Sequence, residues 1–112
     1  MKRVFVSVPF NGRTKEDIEK ELTEVAQEYK EFLDEFESDP NVKDKIIFVS
    51  NYNLTTMQRK IAESKKHPKI WYLGLALQTI ADCDDVTFSK DWAKADGCKL
   101  EKWVYNHYMK ES

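Results

Sequence analysis

The sequence predicts an α/β fold built on a small parallel sheet, because short apolar runs alternate with helical patterns. Three runs, at residues 3–8, 46–50 and 86–88, are β-branched or aromatic, as buried strands are. The helical patterns between them return the chain to the same edge, which gives parallel strands. Right-handed crossovers then place the strands in the order 2-1-3, with helices on both faces. That arrangement is a small flavodoxin-like doubly wound sheet.

Length and composition predict one globular domain, spanning residues 1–112. The hydrophobic share of 41% is too large for a disordered chain. Three glycines and three prolines exclude collagen-like and low-complexity proteins. No apolar run approaches the roughly 18 residues that cross a bilayer, so we predict no membrane partner.

The net charge and the cysteine content exclude further classes of binding partner and indicate the cellular compartment. The net charge of −2 argues against binding a nucleic acid polymer but allows one phosphate group at one site. Two cysteines, Cys83 and Cys98, are too few for a disulfide scaffold, and the N-terminus resembles a first strand rather than a signal peptide. We therefore predict a cytoplasmic protein. No cluster has the spacing of metal ligands, so neither a metal nor a cofactor is predicted.

The strongest local signal is the start of the first helix. Thr14 has the character of an N-cap, and Asp17 follows three residues later, as in a capping box. Apolar side chains then recur at helical spacing up to Phe36, between charged ones. This predicts an amphipathic helix of about 22 residues that ends at residues 38–41.

The second half of the chain contains a polar stretch and two further helices. The polar and basic stretch at residues 51–69 is interpreted as a mobile excursion, since a short helix around 56–64 would have only Met57 and Ile61 as anchors. Pro68 begins a helix through about Ala81, and apolar residues surround most of it, so we expect it to be well buried. A final helix is predicted at residues 97–110.

The topology itself predicts a site. In open parallel sheets, ligands bind beyond the carboxyl ends of the strands where the strand order reverses, here between strands 1 and 3. Residues 7–12 and 89–101 meet there. Gly97 lets the backbone approach a ligand, and Glu101, expected in the first turn of the last helix, would be kept ionised by the helix dipole. Such a carboxylate suits nucleophilic attack on an anomeric carbon. The alternative is that Glu101 only stabilises its helix turn.

Two motifs give this site a family resemblance. The first strand runs into Ser-Val-Pro-Phe-Asn-Gly at residues 7–12, and a W-x-x-x-x-G-C-K-x-E pattern begins at Trp92 and ends at Glu101. The Trp-Tyr-Leu-Gly at residues 71–74 fits as well. The chain resembles the nucleoside 2-deoxyribosyltransferase-like superfamily, and within it a short branch of unknown function that is often phage-encoded.

The resemblance implies an activity and roles for these residues. The family breaks the N-glycosidic bond of nucleosides or nucleotides and passes the sugar to another base or to water. Glu101 matches the nucleophile that attacks C1′, and the turn at residues 9–12 matches the loop that receives the sugar or its 5′-phosphate. Family members are usually dimers or hexamers, so we expect a homo-oligomer acting on a small nucleoside or nucleotide.

Two positions depart from the family pattern. Active members carry an aspartate that assists base departure where this chain has Ala76, and a glycine where it has Trp103. Acid assistance would then come from Asp84, Asp91, Asp96 or a water molecule. The alternative function is a non-catalytic nucleotide-binding module, a sensor or sponge that keeps the fold and the pocket.

Each candidate residue also has a plain structural interpretation. Ser7 and Asn11 can hydrogen-bond a phosphate or ribose hydroxyl, or simply complete the turn. Trp92 can stack on a base or anchor its loop, and Cys98 is either a reactive thiol or a small buried side chain. The candidate catalytic residues are Glu101, Asp84 and Asp96. The candidate substrate-binding residues are Ser7, Pro9, Phe10, Asn11, Gly12, Trp92, Gly97 and Cys98.

Overall fold

The computed structural model describes residues 2–36, 45–52 and 54–110, and they contain a three-stranded parallel sheet. The strands are β1 (Lys2–Ser7), β2 (Ile46–Val49) and β3 (Asp85–Phe88), in the order β2-β1-β3. The central strand aligns Val4 with Phe48 and Phe5 with Val86. The predicted α/β class and strand order are confirmed, and the fold is a small flavodoxin-like one.

Helices cover both faces of the sheet. They are α1 (Lys15–Phe36), α2 (Thr56–Glu63), α3 (Pro68–Ala81) and α4 (Asp96–Val104), with a 3₁₀ turn at Trp92–Lys94 and a π-helical turn at Tyr105–Met109. Because side chains alternate along a strand, Val6 packs with Ile18 and Val25 of α1, while Phe5 packs on the opposite face with Ala76 of α3. The sheet therefore separates two small cores.

Helix α1 begins where its cap was predicted. The backbone N–H of Asp17 donates to Thr14 Oγ1 at 3.1 Å, which satisfies one of the free donors of the first turn. Ile18, Val25 and Tyr29 are buried on one side, as the spacing predicts. The predicted end of this helix at residues 38–41 lies outside the described residues.

The stretch between β2 and α3 contains the short helix α2 rather than only an excursion. A capping box begins it, because Gln58 N donates to Thr55 Oγ1 at 3.1 Å and Thr55 N donates to Gln58 Oε1 at 2.9 Å. The predicted anchors are wrong, since Met57 is 67% exposed and Ile61 is 38% exposed. Ala62 is the buried contact instead, because a small side chain lets α2 approach α3 closely.

Helix α3 has the predicted bounds, but the expectation that it is well buried is wrong. Only Ala76 and Ile80 of this helix are buried, and Ile70 is 65% exposed. One side of α3 packs on the sheet and its neighbouring helices, and the opposite side has no further layer above it in the described part of the chain. Its apolar outer side is therefore surface.

The last helical segment divides in two. Helix α4 starts at Asp96, one residue before the prediction, and at Tyr105 the predicted continuous helix becomes a π-helical turn. Within the described ranges, no helix is both long enough and apolar enough to span a membrane.

Candidate functional site

The two segments predicted to form a site meet at Ser7 and Glu101. Ser7 ends β1, and strand alternation turns its side chain toward α4, on the same face as Phe5. Its hydroxyl donates to Glu101 Oε2 at 3.3 Å. Ser7 is 1% exposed and Glu101 is 8% exposed, so a carboxyl group is enclosed at the carboxyl edge of the sheet.

The burial of Glu101 determines its protonation state. Burial raises the pKa of Glu101 to about 7, and the hydrogen bond from Ser7 opposes this rise without cancelling it. The expectation that the helix start keeps this carboxylate ionised therefore needs correction. Glu101 lies in the second turn of α4, past the free N–H groups of the first turn, and desolvation outweighs the dipole. At neutral pH the group exchanges readily between acid and base.

Cys98 and Gly97 lie one turn before Glu101 on α4. Cys98 is buried, and burial raises the pKa of its thiol more than the hydrogen bond with Ser7 lowers it. This thiol is therefore a small buried side chain rather than an activated nucleophile. A Cβ on Gly97 would lie 3.4 Å from Leu73 Cδ2, so Gly97 brings α4 close to α3.

The turn after β1 lies at the same edge of the sheet. Pro9 is buried, whereas Asn11 and Gly12 are exposed. The N–H of Arg13 donates to the carbonyl of Phe10 at 3.3 Å, and Gly12 has a φ of 74°, a backbone conformation that favours glycine. The turn is complete without the side chain of Asn11, which leaves that amide exposed at the surface.

Trp92 anchors its connection to α4. The ammonium of Lys102 lies 5.6 Å from the centroid of the Trp92 ring, 4.6 Å from Phe88 and 5.7 Å from Tyr105. Such cation–π contacts hold the 3₁₀ turn against the helix that carries Glu101. The geometry therefore favours the anchoring interpretation of Trp92.

The structure does not bring the two candidate aspartates to Glu101. Asp84 precedes β3 at the amino edge of the sheet, where its carboxylate accepts from the N–H of Arg3 at 2.8 Å. Asp96 begins α4 with a fully exposed side chain, 3.8 Å from Lys99 Nζ. The sequence alone could not assign Asp84 to the amino edge or the carboxyl edge of the sheet, because that depends on the exact residue at which β3 begins.

The two departures from the family pattern fall at different places. Ala76 lies in the core against Phe5, so it fills space between α3 and the sheet. Trp103 is half exposed and stacks on His107, with ring centroids 4.0 Å apart.

A closed ring of polar contacts lies on the α1 side of the same sheet edge. Ser89 Oγ donates to Glu21, Glu21 pairs with Arg13, the guanidinium of Arg13 lies 3.2 Å from Asp91 Oδ2, and Asp91 N donates back to Ser89 Oγ at 3.0 Å. We call these four residues the Arg13 ring. Sequence reasoning included Ser89 only as the start of the segment 89–101 and did not single out Glu21, because two of the ring contacts join residues 68 and 78 positions apart.

Two clefts of the described chain lie on the α1 side. The larger, about 340 Å³, lies between α1 and β2, and Lys30 is the only titratable residue among the described residues that line it. The smaller, about 260 Å³, is lined by Arg13, Glu21, Asp91 and other charged residues. Neither includes Glu101. The chemistry of an enclosed carboxyl group, rather than cleft size, places the candidate site at Ser7 and Glu101.

Comparisons with known proteins add no relative. The chain matches no family model, and no curated protein or solved structure is significantly similar to it. Within residues 2–36, 45–52 and 54–110, no three histidine, cysteine, aspartate or glutamate side chains are grouped so that they could hold a metal ion. The geometry of the site is therefore the evidence for what the chain does.

Proposed function

We propose that the chain cleaves the N-glycosidic bond of a nucleoside or nucleotide, or transfers its deoxyribosyl group, with Glu101 as the nucleophile. One observation carries this proposal: the carboxyl group of Glu101 is enclosed at the carboxyl edge of β1 and held there by Ser7. This is the position at which parallel sheets bind ligands.

The reaction balances with groups that the site and solvent supply. A carboxylate oxygen of Glu101 attacks C1′, and the C1′–N bond breaks with its electron pair going to the base, which takes a proton from water. Water or a second base then attacks C1′ and releases Glu101. This double displacement is the retaining mechanism of glycosidases.

The raised pKa of Glu101 is compatible with this role. At a pKa of about 7, a substantial fraction of the group is ionised at neutral pH, and a desolvated carboxylate is a stronger nucleophile than a hydrated one. The Ser7 hydroxyl orients the attacking group. We expect the turn at residues 9–12, at the same edge of the sheet, and the 3₁₀ turn at Trp92–Lys94 to contact the sugar and base.

The decisive experiment follows free base released from a panel of nucleosides and 5′-nucleotides. We expect wild type to release base and Glu101→Ala to lose release, with the fold intact by circular dichroism. Glu28→Ala is the matched control, because Glu28 is an exposed glutamate on α1. Release that persists in Glu101→Ala, or no release from wild type, would overturn the proposal.

A second candidate function is a non-catalytic nucleotide-binding module. The placement of Asp84 at the amino edge and of Asp96 in solvent favours it, because neither candidate acid is positioned to protonate a leaving base. Calorimetric titration with nucleotides tests this candidate. Tight binding without turnover supports it, and absence of binding rejects it.

We also propose that the chain forms a homo-oligomer. The outer side of α3 carries the exposed Ile70, and α4 exposes Leu100 and Trp103. A second copy that covers these side chains would remove apolar surface from water. Light scattering after size-exclusion chromatography tests this: an oligomer that becomes monomeric in Ile70→Lys supports the proposal, and a monomeric wild type rejects it.

A further inference from the structure

The geometry points to a positioning role for the Arg13 ring (Arg13, Glu21, Ser89 and Asp91), which we propose fixes the placement of Ser7 and Glu101. Arg13, Glu21 and Asp91 would then be positioning residues for the carboxylate, acting from the opposite face of the sheet. The inference rests on the proposed function, because it assigns these residues to the same reaction.

The ring joins three separate segments of the chain. Arg13 directly follows the turn after β1, Glu21 lies on α1, and Ser89 and Asp91 begin the connection from β3 to α4. Its charged side chains are partly sheltered, with 25% exposure for Arg13, 14% for Glu21 and 25% for Asp91. Charge-assisted bonds in such surroundings hold geometry better than ion pairs in open solvent.

Two covalent and hydrogen-bonded routes lead from the ring to the site. Ser89, which is 1% exposed, donates its N–H to the carbonyl of Ser7 at 2.9 Å. Its carbonyl accepts from Trp92 N at 3.1 Å, which starts the 3₁₀ turn leading into α4 and Glu101. Movement of Ser89 would therefore displace both partners of the Ser7–Glu101 hydrogen bond.

The planar guanidinium is the part that a simpler cation cannot replace. Arg13 contacts Glu21 through one terminal nitrogen and Asp91 through the other, so it fixes the distance between α1 and the β3–α4 connection. A lysine ammonium is a single point charge and cannot span both carboxylates in this way. Lys94, 3.3 Å from Asp91 Oδ1, approaches from outside the ring and does not close it.

The test compares ring variants with charge-matched controls in the base-release assay. We expect Arg13→Gln and Asp91→Asn each to lower kcat roughly ten- to hundredfold, because reactive geometry tolerates little displacement. Arg13→Lys should lower kcat less than Arg13→Gln does, but should not keep the wild-type value. The double variant should be no worse than the poorer single variant, because either change opens the same ring.

The controls come from an exposed ion pair on α1. Lys15 Nζ lies 4.0 Å from Glu19 Oε1 with both side chains more than half exposed, so Lys15→Gln and Glu19→Gln make the same charge changes away from the ring. We expect both to keep the wild-type kcat. Equal losses in controls and ring variants, or an unchanged kcat in well-folded Asp91→Asn, would overturn the inference.

A second measurement keeps the test independent of catalysis. Titration of the Glu101 carboxyl carbon by NMR should show that its pKa falls toward the ordinary value of 4.5 in Asp91→Asn, because water reaches a misplaced carboxylate. An identical titration in wild type, Asp91→Asn and Glu19→Gln overturns the inference. If wild type releases no base, the proposed function fails, and this titration alone decides the positioning role.

Discussion

The hydroxyl of Ser7 lies 3.3 Å from the carboxylate of Glu101, although the two residues are 94 positions apart in the sequence. This contact joins the end of β1 to α4 on the α3–α4 face. It also sets the balance between burial, which raises the pKa of Glu101, and hydrogen bonding, which lowers it. Activity and stability should both depend on that balance.

The base-release activity should depend on pH with a midpoint near 7. The attacking form of Glu101 is the carboxylate, so kcat/KM should rise as pH increases through the pKa of about 7 and level off above it. Initial rates between pH 5 and 9 measure this. A rate that falls as pH rises through 7 would contradict a nucleophilic Glu101 and indicate an acid instead.

The free energy of unfolding should show the opposite dependence on pH. The pKa of Glu101 in the folded chain exceeds its unfolded value of 4.5, so its stabilising contribution is complete below pH 4.5 and is lost as pH rises through about 7. Glu101→Gln, which stays neutral, should therefore raise the free energy of unfolding at pH 8 by about 3 kcal/mol.

Urea denaturation at pH 4.5 and pH 8 measures this difference. At pH 4.5 the wild type and Glu101→Gln should differ little, because Glu101 in the folded chain is then neutral. Glu28→Gln, which changes an exposed glutamate on α1, should have the same small effect at both values. An equal stability gain at both pH values for Glu101→Gln would contradict the predicted linkage.

Ser7→Ala should move the pH profile upward. Removing the hydroxyl takes away the hydrogen bond that lowers the pKa of Glu101, so the midpoint of activity should shift to higher pH. The lost buried hydrogen bond should also cost about 1 kcal/mol of folding stability. A midpoint that stays in place would show that Ser7 does not act on the ionised carboxylate.

Lys102 should stabilise the Trp92 turn through its charge. Its ammonium faces the rings of Phe88, Trp92 and Tyr105, so Lys102→Met, which keeps the apolar stem, should lower the free energy of unfolding by about 1 kcal/mol. Lys102→Arg should retain most of this stability, because it keeps the positive charge. The indole N–H resonance of Trp92 should shift in the methionine variant, and an unchanged resonance would contradict the contact.

Much of the fold could be predicted because its signals are local. The Thr14 cap and the apolar stripe define α1, and the alternation of strands and helices fixes the order β2-β1-β3. The position of Glu101 at the carboxyl edge follows from topology. Its protonation does not, because desolvation depends on how α4 packs on the sheet.

Other parts of the site depend on contacts that no local pattern encodes. Asp84 pairs with the backbone of Arg3 at the amino edge of the sheet. This placement depends on β3 beginning at Asp85, the residue directly after it. The Arg13–Asp91 contact requires that two turns at opposite ends of the chain converge. Such pairings are set by the tertiary arrangement of complete elements.

The enclosure of Glu101 has a consequence for the kind of molecule that the site would prefer. When Glu101 ionises, it accepts from the neutral hydroxyl of Ser7 in the described part of the chain, so its negative charge is poorly balanced. A sugar ring that develops positive charge at C1′ would supply the missing countercharge. Under the proposed function, the site should therefore hold a cationic imino sugar more tightly than the neutral sugar of the same shape.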